Sequence, residues 1–454
     1  MFQTYSKKEK LRQFVSILLP ILLTQLGLFS MTFFDTMMSG NASPSDLAGV
    51  AIGSSLWTPV FTGLSGILLA ITPIVAQQVG AAKHKEVPYS VTQGVYLSFF
   101  MALFVILAGS FILNPVLNLM NLTDQVHEVA HDFLCALSFG MVPLFVYNAL
   151  RAYIDALGQT KVSMFITLLS LPINVVLNHM LIFGNFGLPE LGGVGAGYAS
   201  AITYWIITIV AIMVIYRNSP FTSYRVFRVF YPISFKEWLS ILKIGVPIGF
   251  SIFFETSIFS AVTLLMSNYS TTIIASHQAA LNFASFLYMI PLSISMSLTI
   301  VVGFETGARR IKDAIQYAYL GIGTAVSLAF VCGIVLFALR NHIASLYTND
   351  PEVLRLTSHF LIFALFFQLS DALQAPIQGA LRGYKDVNVT LYMSLISYWV
   401  IGLPTGYLFA AYTSLGAFGY WIGLITGLAA GAATLSFRLV SVQRRKYSEL
   451  ENQS

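Results

Sequence analysis

Twelve times along this chain an apolar run returns, each long enough to cross a hydrocarbon core about 30 Å thick. The runs cover about 14–37, 47–79, 91–112, 133–150, 162–184, 194–216, 241–266, 273–303, 314–339, 356–378, 389–412 and 416–438. None alternates with the two-residue period of a membrane β-strand, so each is expected to be a helix that satisfies its own backbone in lipid. The chain is 56% apolar and only 9% charged. Soluble proteins carry about 25% charged residues, so no water-exposed surface could be built from this composition. A soluble enzyme, a nucleic-acid binder and a disordered chain are thereby excluded. Cys135 and Cys332 both sit inside apolar runs, which argues against a disulfide framework. The opening MFQTYSKKEKLR is short and basic, and the apolar run behind it is too long for a cleavable signal. It is expected to remain as the first span.

The basic residues supply an orientation. With the N-terminus placed inside, 22 of the 24 Lys and Arg residues fall in inside segments, and only Arg340 and Arg355 fall outside. That asymmetry is what the positive-inside rule requires of short loops, and one missed span would scramble it. Both termini are therefore expected on the cytoplasmic side.

The sequence also repeats at an offset of 227 residues. Pro20 in SILLPILL matches Pro247 in LKIGVPIG. Gly80-Ala-Ala-Lys-His-Lys-Glu86 matches Gly307-Ala-Arg-Arg-Ile-Lys-Asp313, and Asp132-Phe-Leu134 matches His359-Phe-Leu361. Six spans per repeat is an even number, so two parallel halves related by an axis along the membrane normal are expected. The division reads as a six-helix bundle over 1–216, a basic connecting loop over 217–240, and a second bundle over 241–454. Prolines at 20, 59, 73, 143, 172, 247, 291, 376 and 404 interrupt many spans. They are either ordinary membrane-helix prolines or points at which helices bend.

Three acidic residues sit well inside spans: Asp35, Glu255 and Asp371. No Lys or Arg is expected deep in any span. A carboxylate in the bilayer is costly, and three without a basic partner point to neutralisation by a mobile cation or proton. A cavity lined this way attracts cations and repels anions. The plainer alternative is a protonated carboxyl acting as interhelical glue. Asn174 and Asn178 stand four residues apart on one face of the fifth span. With a carboxylate they would offer the hard oxygen ligands that Na⁺ favours, although helix–helix hydrogen bonding would also explain them. His179 beside them reads as a packed histidine. His127-Glu-Val-Ala-His131 fits the H-E-x-x-H zinc pattern, but it precedes the fourth span and has no third ligand at a recognised spacing. No Walker A sequence is present. Of the 22 Tyr, 36 Phe and 14 Met residues, those lining a cavity could hold flat organic cations.

The segments LLPILLTQLG, AQQVGAAKHKEV, LPINVVLNHMLIFG and ALRGYKDVNV, in this order, resemble the multidrug and toxic compound extrusion (MATE) family from about residue 10 to 440. Asp35, Glu255 and Asp371 are most similar to its NorM-type branch. The resemblance implies an all-α protein of twelve transmembrane helices in two six-helix bundles, arranged as a V that opens alternately to either side. It implies export of amphiphilic organic cations in exchange for Na⁺ or H⁺, with no tightly bound cofactor and no catalytic residues. Its cation sites carry over to Asp35, Asn174, Asn178 and Ser200 in the N-terminal half, with Na⁺ at Asp35, Asn174 and Asn178. In the C-terminal half they carry over to Glu255 and Asp371. Phe367 stands where related proteins have a tyrosine, which removes one possible oxygen ligand. The expected setting is a bacterial cytoplasmic membrane, a single chain and no nucleic-acid partner. Two other readings compete. A flippase for lipid-linked sugars would need Arg or Lys in its cavity for phosphate, and an intramembrane zinc protease would use residues 127–131.

Overall fold

The computed structural model describes residues 1–120 and 122–451, and among them every regular element is helical. Eleven helices are long and apolar enough to span a membrane: α1 Lys7–Ala42, α2 Pro44–Gly80, α3 Val87–Leu119, α5 Thr160–Phe183, α6 Gly193–Arg217, α7 Phe235–Met266, α8 Thr271–Gly307, α9 Ile311–Ser345, α10 Pro351–Gly383, α11 Asn388–Tyr412 and α12 Phe418–Glu451. The twelfth, α4, is a bent pair, Asp124–Ser138 and Met141–Ala156, turned by 52°. Each expected span matches one of these helices to within a few residues at the ends, the fourth across the bend. Gly140 marks that bend for a steric reason. A Cβ there would lie 2.5 Å from Ala201 Cα, so only glycine lets α6 approach this closely.

Local chemistry sets the helix ends. Ser43 accepts from Asp46 N and precedes Pro44, and Asp350 accepts from Glu352 N and Val353 N ahead of Pro351. These are side-chain N-caps followed by a proline whose missing N–H costs nothing. α5 stops on Gly184 in the left-handed conformation (φ 70°), and its amide returns to Met180 O. α6 then begins where Asp46 Oδ1 accepts from Gly193 N at 2.6 Å. α11 carries a π-helical stretch at Ile396–Gly402, which places Tyr398 in the interior.

The described helices form two compact units: Leu23–Gly245, and Met1–Leu22 together with Val246–Ser454. The boundaries lie inside α1 and α7, not in the 217–240 stretch. Burial explains this. Phe14, Ile17 and Ile21 of α1 pack with Leu298, Tyr317, Leu381 and Leu439. Ile241 of α7 packs with Ala70, Ile74 and Leu97. We call the units the N-lobe (Leu23–Gly245) and the C-lobe.

Candidate functional site

Asp35, on α1, lies within a closed ring of neutral side chains in the N-lobe. Asn178 Nδ2 donates to Asp35 Oδ1 at 2.6 Å and reaches Asn174 Oδ1 at 3.0 Å. Asn174 Nδ2 donates to Ser200 Oγ at 3.3 Å, and Ser200 Oγ donates to Asp35 Oδ2 at 3.2 Å. Asn174 and Asn178 are wholly buried, and Ser200 nearly so. The four-residue spacing on α5 puts both amides on one helix face, and α6 supplies the hydroxyl. One atom is left over: Asn178 Oδ1 is buried and has no hydrogen-bond partner. A buried amide oxygen without a donor is costly and is a ready ligand for a cation. All four residues singled out by sequence in this half therefore meet around one carboxylate.

The C-lobe cluster is built differently. Glu255 on α7 accepts from the Tyr288 hydroxyl of α8 at 3.3 Å. Asp371 on α10 is 1% exposed, and its Oδ2 has no partner. Below it on the same face come Gln374, Gln378 and Arg382. Gln374 Nε2 donates to the hydroxyl of Tyr398 on the π-helical stretch of α11, while Gln374 Oε1 remains unpaired. The Gln378 amide nitrogen lies near Glu255 yet makes no hydrogen bond, and Gln378 Oε1 accepts from Arg382 Nη2 at 3.4 Å. Close packing keeps these groups from water. A Cβ on Gly379 would lie 2.2 Å from Ser295 O, so α10 touches α8 backbone to backbone. Phe367 is buried against Phe259 and Trp421, at ring distances of 5.6 and 6.2 Å. The phenol oxygens of this cluster instead come from Tyr288 and Tyr398.

Two arginines are buried, each near the end of a span and not deep within it. Arg382 is 6% exposed inside α10 and interacts electrostatically with Glu255. Arg151 is likewise buried, in α4, with Asp155 Oδ2 at 3.5 Å. Both sit at span ends, where the helices continue past the apolar run and counting charges loop by loop includes them. The inventory of buried acids grows too, since Asp155 and Glu305 are 3% and 1% exposed. Each of those two is paired with an arginine, Arg151 and Arg310 respectively. Asp35, Glu255 and Asp371 enter none of the ion pairs found among the described residues. Sequence reasoning missed Tyr288, Gln374, Gln378, Arg382 and Tyr398. The signal for three of them was present, because Asp371, Gln374, Gln378 and Arg382 follow a 3-4-4 spacing that lines one helix face.

The zinc pattern finds no support. His127 Nε2 meets Asn118 Oδ1 at 3.0 Å, and His131 Nδ1 meets Asp132 Oδ1 at 2.9 Å. Among the described residues no group of three or more His, Cys, Asp or Glu side chains is placed to hold a metal. His179 is exposed at a helix end, against Asn185. Elsewhere in the C-lobe, a cavity of about 470 Å³ is lined by Gln278, Asn282, Ser285 and Tyr347 among others.

The MatE family profile matches residues 20–180 and 247–408, two segments whose starts are 227 residues apart. The chain is 59% identical over 445 residues to the "Probable multidrug resistance protein NorM" of Halalkalibacterium halodurans, covering 98% of this chain and 97% of that one. It is 58% identical over 452 residues to the protein of the same name from Bacillus subtilis, with 100% of each covered. The crystal structure of the eukaryotic MATE transporter AtDTX14 matches with a TM-score of 0.86 at 22% identity, over 97% of this chain and 99% of that chain. The repeated matches, the full-length likeness and the shared fold lead to one conclusion: the chain belongs to the MATE family of membrane transporters.

Proposed function

We propose that this protein is a secondary active multidrug efflux transporter that exports amphiphilic organic cations by alternating access. Relatives named for multidrug resistance at more than half identity support efflux. The interior acids of both lobes support cationic cargo, since Asp35, Glu255 and Asp371 enter none of the ion pairs found among the described residues. The lipid-linked sugar flippase is the weaker reading. Arg382 is the one basic residue in the C-lobe cluster, and Gln378 and the nearby Glu255 already engage it, so that cluster offers a phosphate no free cation.

The coupling ion in this reading is Na⁺ in preference to H⁺. The observation that carries it is the N-lobe ring, where a carboxylate, a hydroxyl and two amide oxygens, one of them unpaired, are gathered within hydrogen-bond distances. A proton needs only the carboxylate, whereas a hard cation needs such a set of oxygens. Ion and drug must favour different states for exchange to occur, and each then lowers affinity for the other by the same factor. The transporter works as a single chain in the cytoplasmic membrane with both termini in the cytoplasm, as the distribution of Lys and Arg supports.

The test is drug efflux from proteoliposomes under separately imposed gradients. A Na⁺ gradient with pH equal on both sides should drive efflux. Efflux under a pH gradient alone, in Na⁺-free buffer, with none under Na⁺, would overturn the sodium assignment and leave Asp35 as a proton carrier.

A further inference from the structure

The segment between α6 and α7 is not a loose tether. Phe221 and Val226 are 1% and 2% exposed and belong to the N-lobe core. Gln93 of α3 clamps the far end with both halves of its amide: Nε2 donates to Pro232 O at 2.7 Å, and Oε1 accepts from Ser234 N at 2.9 Å. Tyr96 adds a hydroxyl bond to Tyr231 O at 3.2 Å. Gln93 and Tyr96 lie in the first turns of α3, so the segment is held at the level where that span enters the bilayer.

What this fixed segment shows to its surroundings is unusual. Arg217, Arg225, Arg228 and Lys236 are all exposed, and residues 217–236 contain no Asp or Glu. Two acids of the neighbouring elements are already engaged: Glu86 pairs with Lys83 at 3.0 Å, and Glu237 accepts from Ser90 Oγ at 3.1 Å. Left-handed backbone at Arg225 (φ 55°) and Phe227 (φ 67°) turns the chain so that Val226 points inward between exposed arginines. Interleaved with the charges are exposed apolar side chains, Phe230 (88%), Phe235 (77%), Val229 and Ile233. Phe235 continues into an aromatic patch with Trp238 (5.5 Å), whose ring lies tilted by 57° against Phe100 of α3 (5.3 Å). Bare cations alone would suit any soluble anion, and bare aromatics alone would suit any apolar partner. Both together, on a rigid platform at the membrane boundary, match a surface that is anionic above and hydrocarbon below.

We infer that residues 217–236 form a docking surface for anionic phospholipids, with Arg225, Arg228 and Lys236 meeting headgroup phosphates and Phe230 entering the acyl layer. The test uses the purified full-length chain equilibrated with mixed micelles of phosphatidylglycerol and phosphatidylcholine, with retained lipids counted by native mass spectrometry. Phosphatidylglycerol should be retained in preference to phosphatidylcholine, and retention should fall as sodium chloride is raised. The triple variant Arg225→Gln, Arg228→Gln, Lys236→Gln should lose about a hundredfold in affinity, at about fivefold per charge. Neutralising Arg444, Arg445 and Lys446 in the same way should change nothing. Phe230→Ser should lose about tenfold while keeping the salt dependence. Equal retention of both lipids by the unaltered protein, or of phosphatidylglycerol by the triple variant, would overturn the inference. So would an unchanged affinity in Phe230→Ser, or displacement of the lipid by millimolar inorganic phosphate, which would identify a site for a free anion instead. The salt titration needs no variant, so a misfolded triple mutant leaves the inference open to refutation.

Discussion

The two lobes repeat one backbone pattern but do not repeat its chemistry. In the N-lobe a single carboxylate, Asp35, is ringed by two amides and a hydroxyl, and only one polar atom of the ring is unpaired. In the C-lobe two carboxylates share their surroundings with a buried arginine, two phenols and two unpaired amide atoms. The 227-residue offset makes the divergence explicit. Asp35 corresponds to Val262, Glu255 to Leu28, and Asp371 to Leu144. Arg382 corresponds to Asp155, so even the sign of the buried charge is reversed. The repeat preserves the order and number of spans and leaves interior polar groups free to diverge. The N-lobe site suits a small ion that needs a defined set of oxygens. The C-lobe cluster, with orphaned donors and acceptors, has slack in its hydrogen bonding and suits a cargo or an ion that varies.

The sharpest way to break this contrast is Asp35→Asn. With its only carboxylate gone, the N-lobe ring has no charge to neutralise, and exchange should fall by about a hundredfold or more under either gradient. Efflux at a tenth of the normal rate or better would show that coupling resides in the C-lobe. Glu255→Gln and Asp371→Asn should each reduce efflux by about twentyfold while leaving folded protein in the membrane, because one acid remains beside the lost one. The double variant should lose less than the product of the two, since groups in one cluster couple. Strict additivity would mean that the two acids act separately.

Asn178→Ala is a finer probe. It removes the unpaired oxygen and the donor to Asp35 Oδ1, so half-saturation by Na⁺ should rise about tenfold. Drug affinity measured at saturating Na⁺ should barely move; a larger change there would place drug in the ring. The smallest effect is expected for Arg382→Gln, and in the opposite direction. Without that guanidinium the C-lobe acids attract cations more strongly, and organic-cation affinity should rise about threefold after screening. Weaker binding would assign Arg382 a structural task.

How much of this the sequence carried varies with the interaction involved. Hydropathy located every span, because lipid imposes its demand on each helix separately. It could not locate the bend at Gly140, which depends on the approach of Ala201 from another helix. Asp35, Asn174 and Asn178 were legible because acids and paired amides are conspicuous in apolar runs, while Ser200 came only through family resemblance. Arg382 was misplaced because it sits past the apolar window, where charge counting treats every arginine as a loop residue. Tyr288 and Tyr398 gave no signal, since nothing local separates a phenol facing Glu255 or Gln374 from one facing lipid. The lobe boundaries inside α1 and α7 were equally silent, because apolar periodicity does not name a helix's partner.

That last feature has a consequence for synthesis. The N-lobe is one continuous stretch of chain, whereas the C-lobe begins with residues 1–22 and resumes only at Val246. Gln13 and Thr4 meet the Tyr317 hydroxyl at 3.0 and 3.2 Å, and Lys10 meets Asp313 at 2.8 Å. Phe14, Ile17 and Ile21 have their final neighbours on helices that extend to α12. At roughly 5 to 20 residues per second, Phe14, Ile17 and Ile21 wait about 20 to 85 s for partners more than 400 residues further along the chain. During that interval this segment must be kept by lipid and by its own basic residues at the membrane surface, while the N-lobe closes without it.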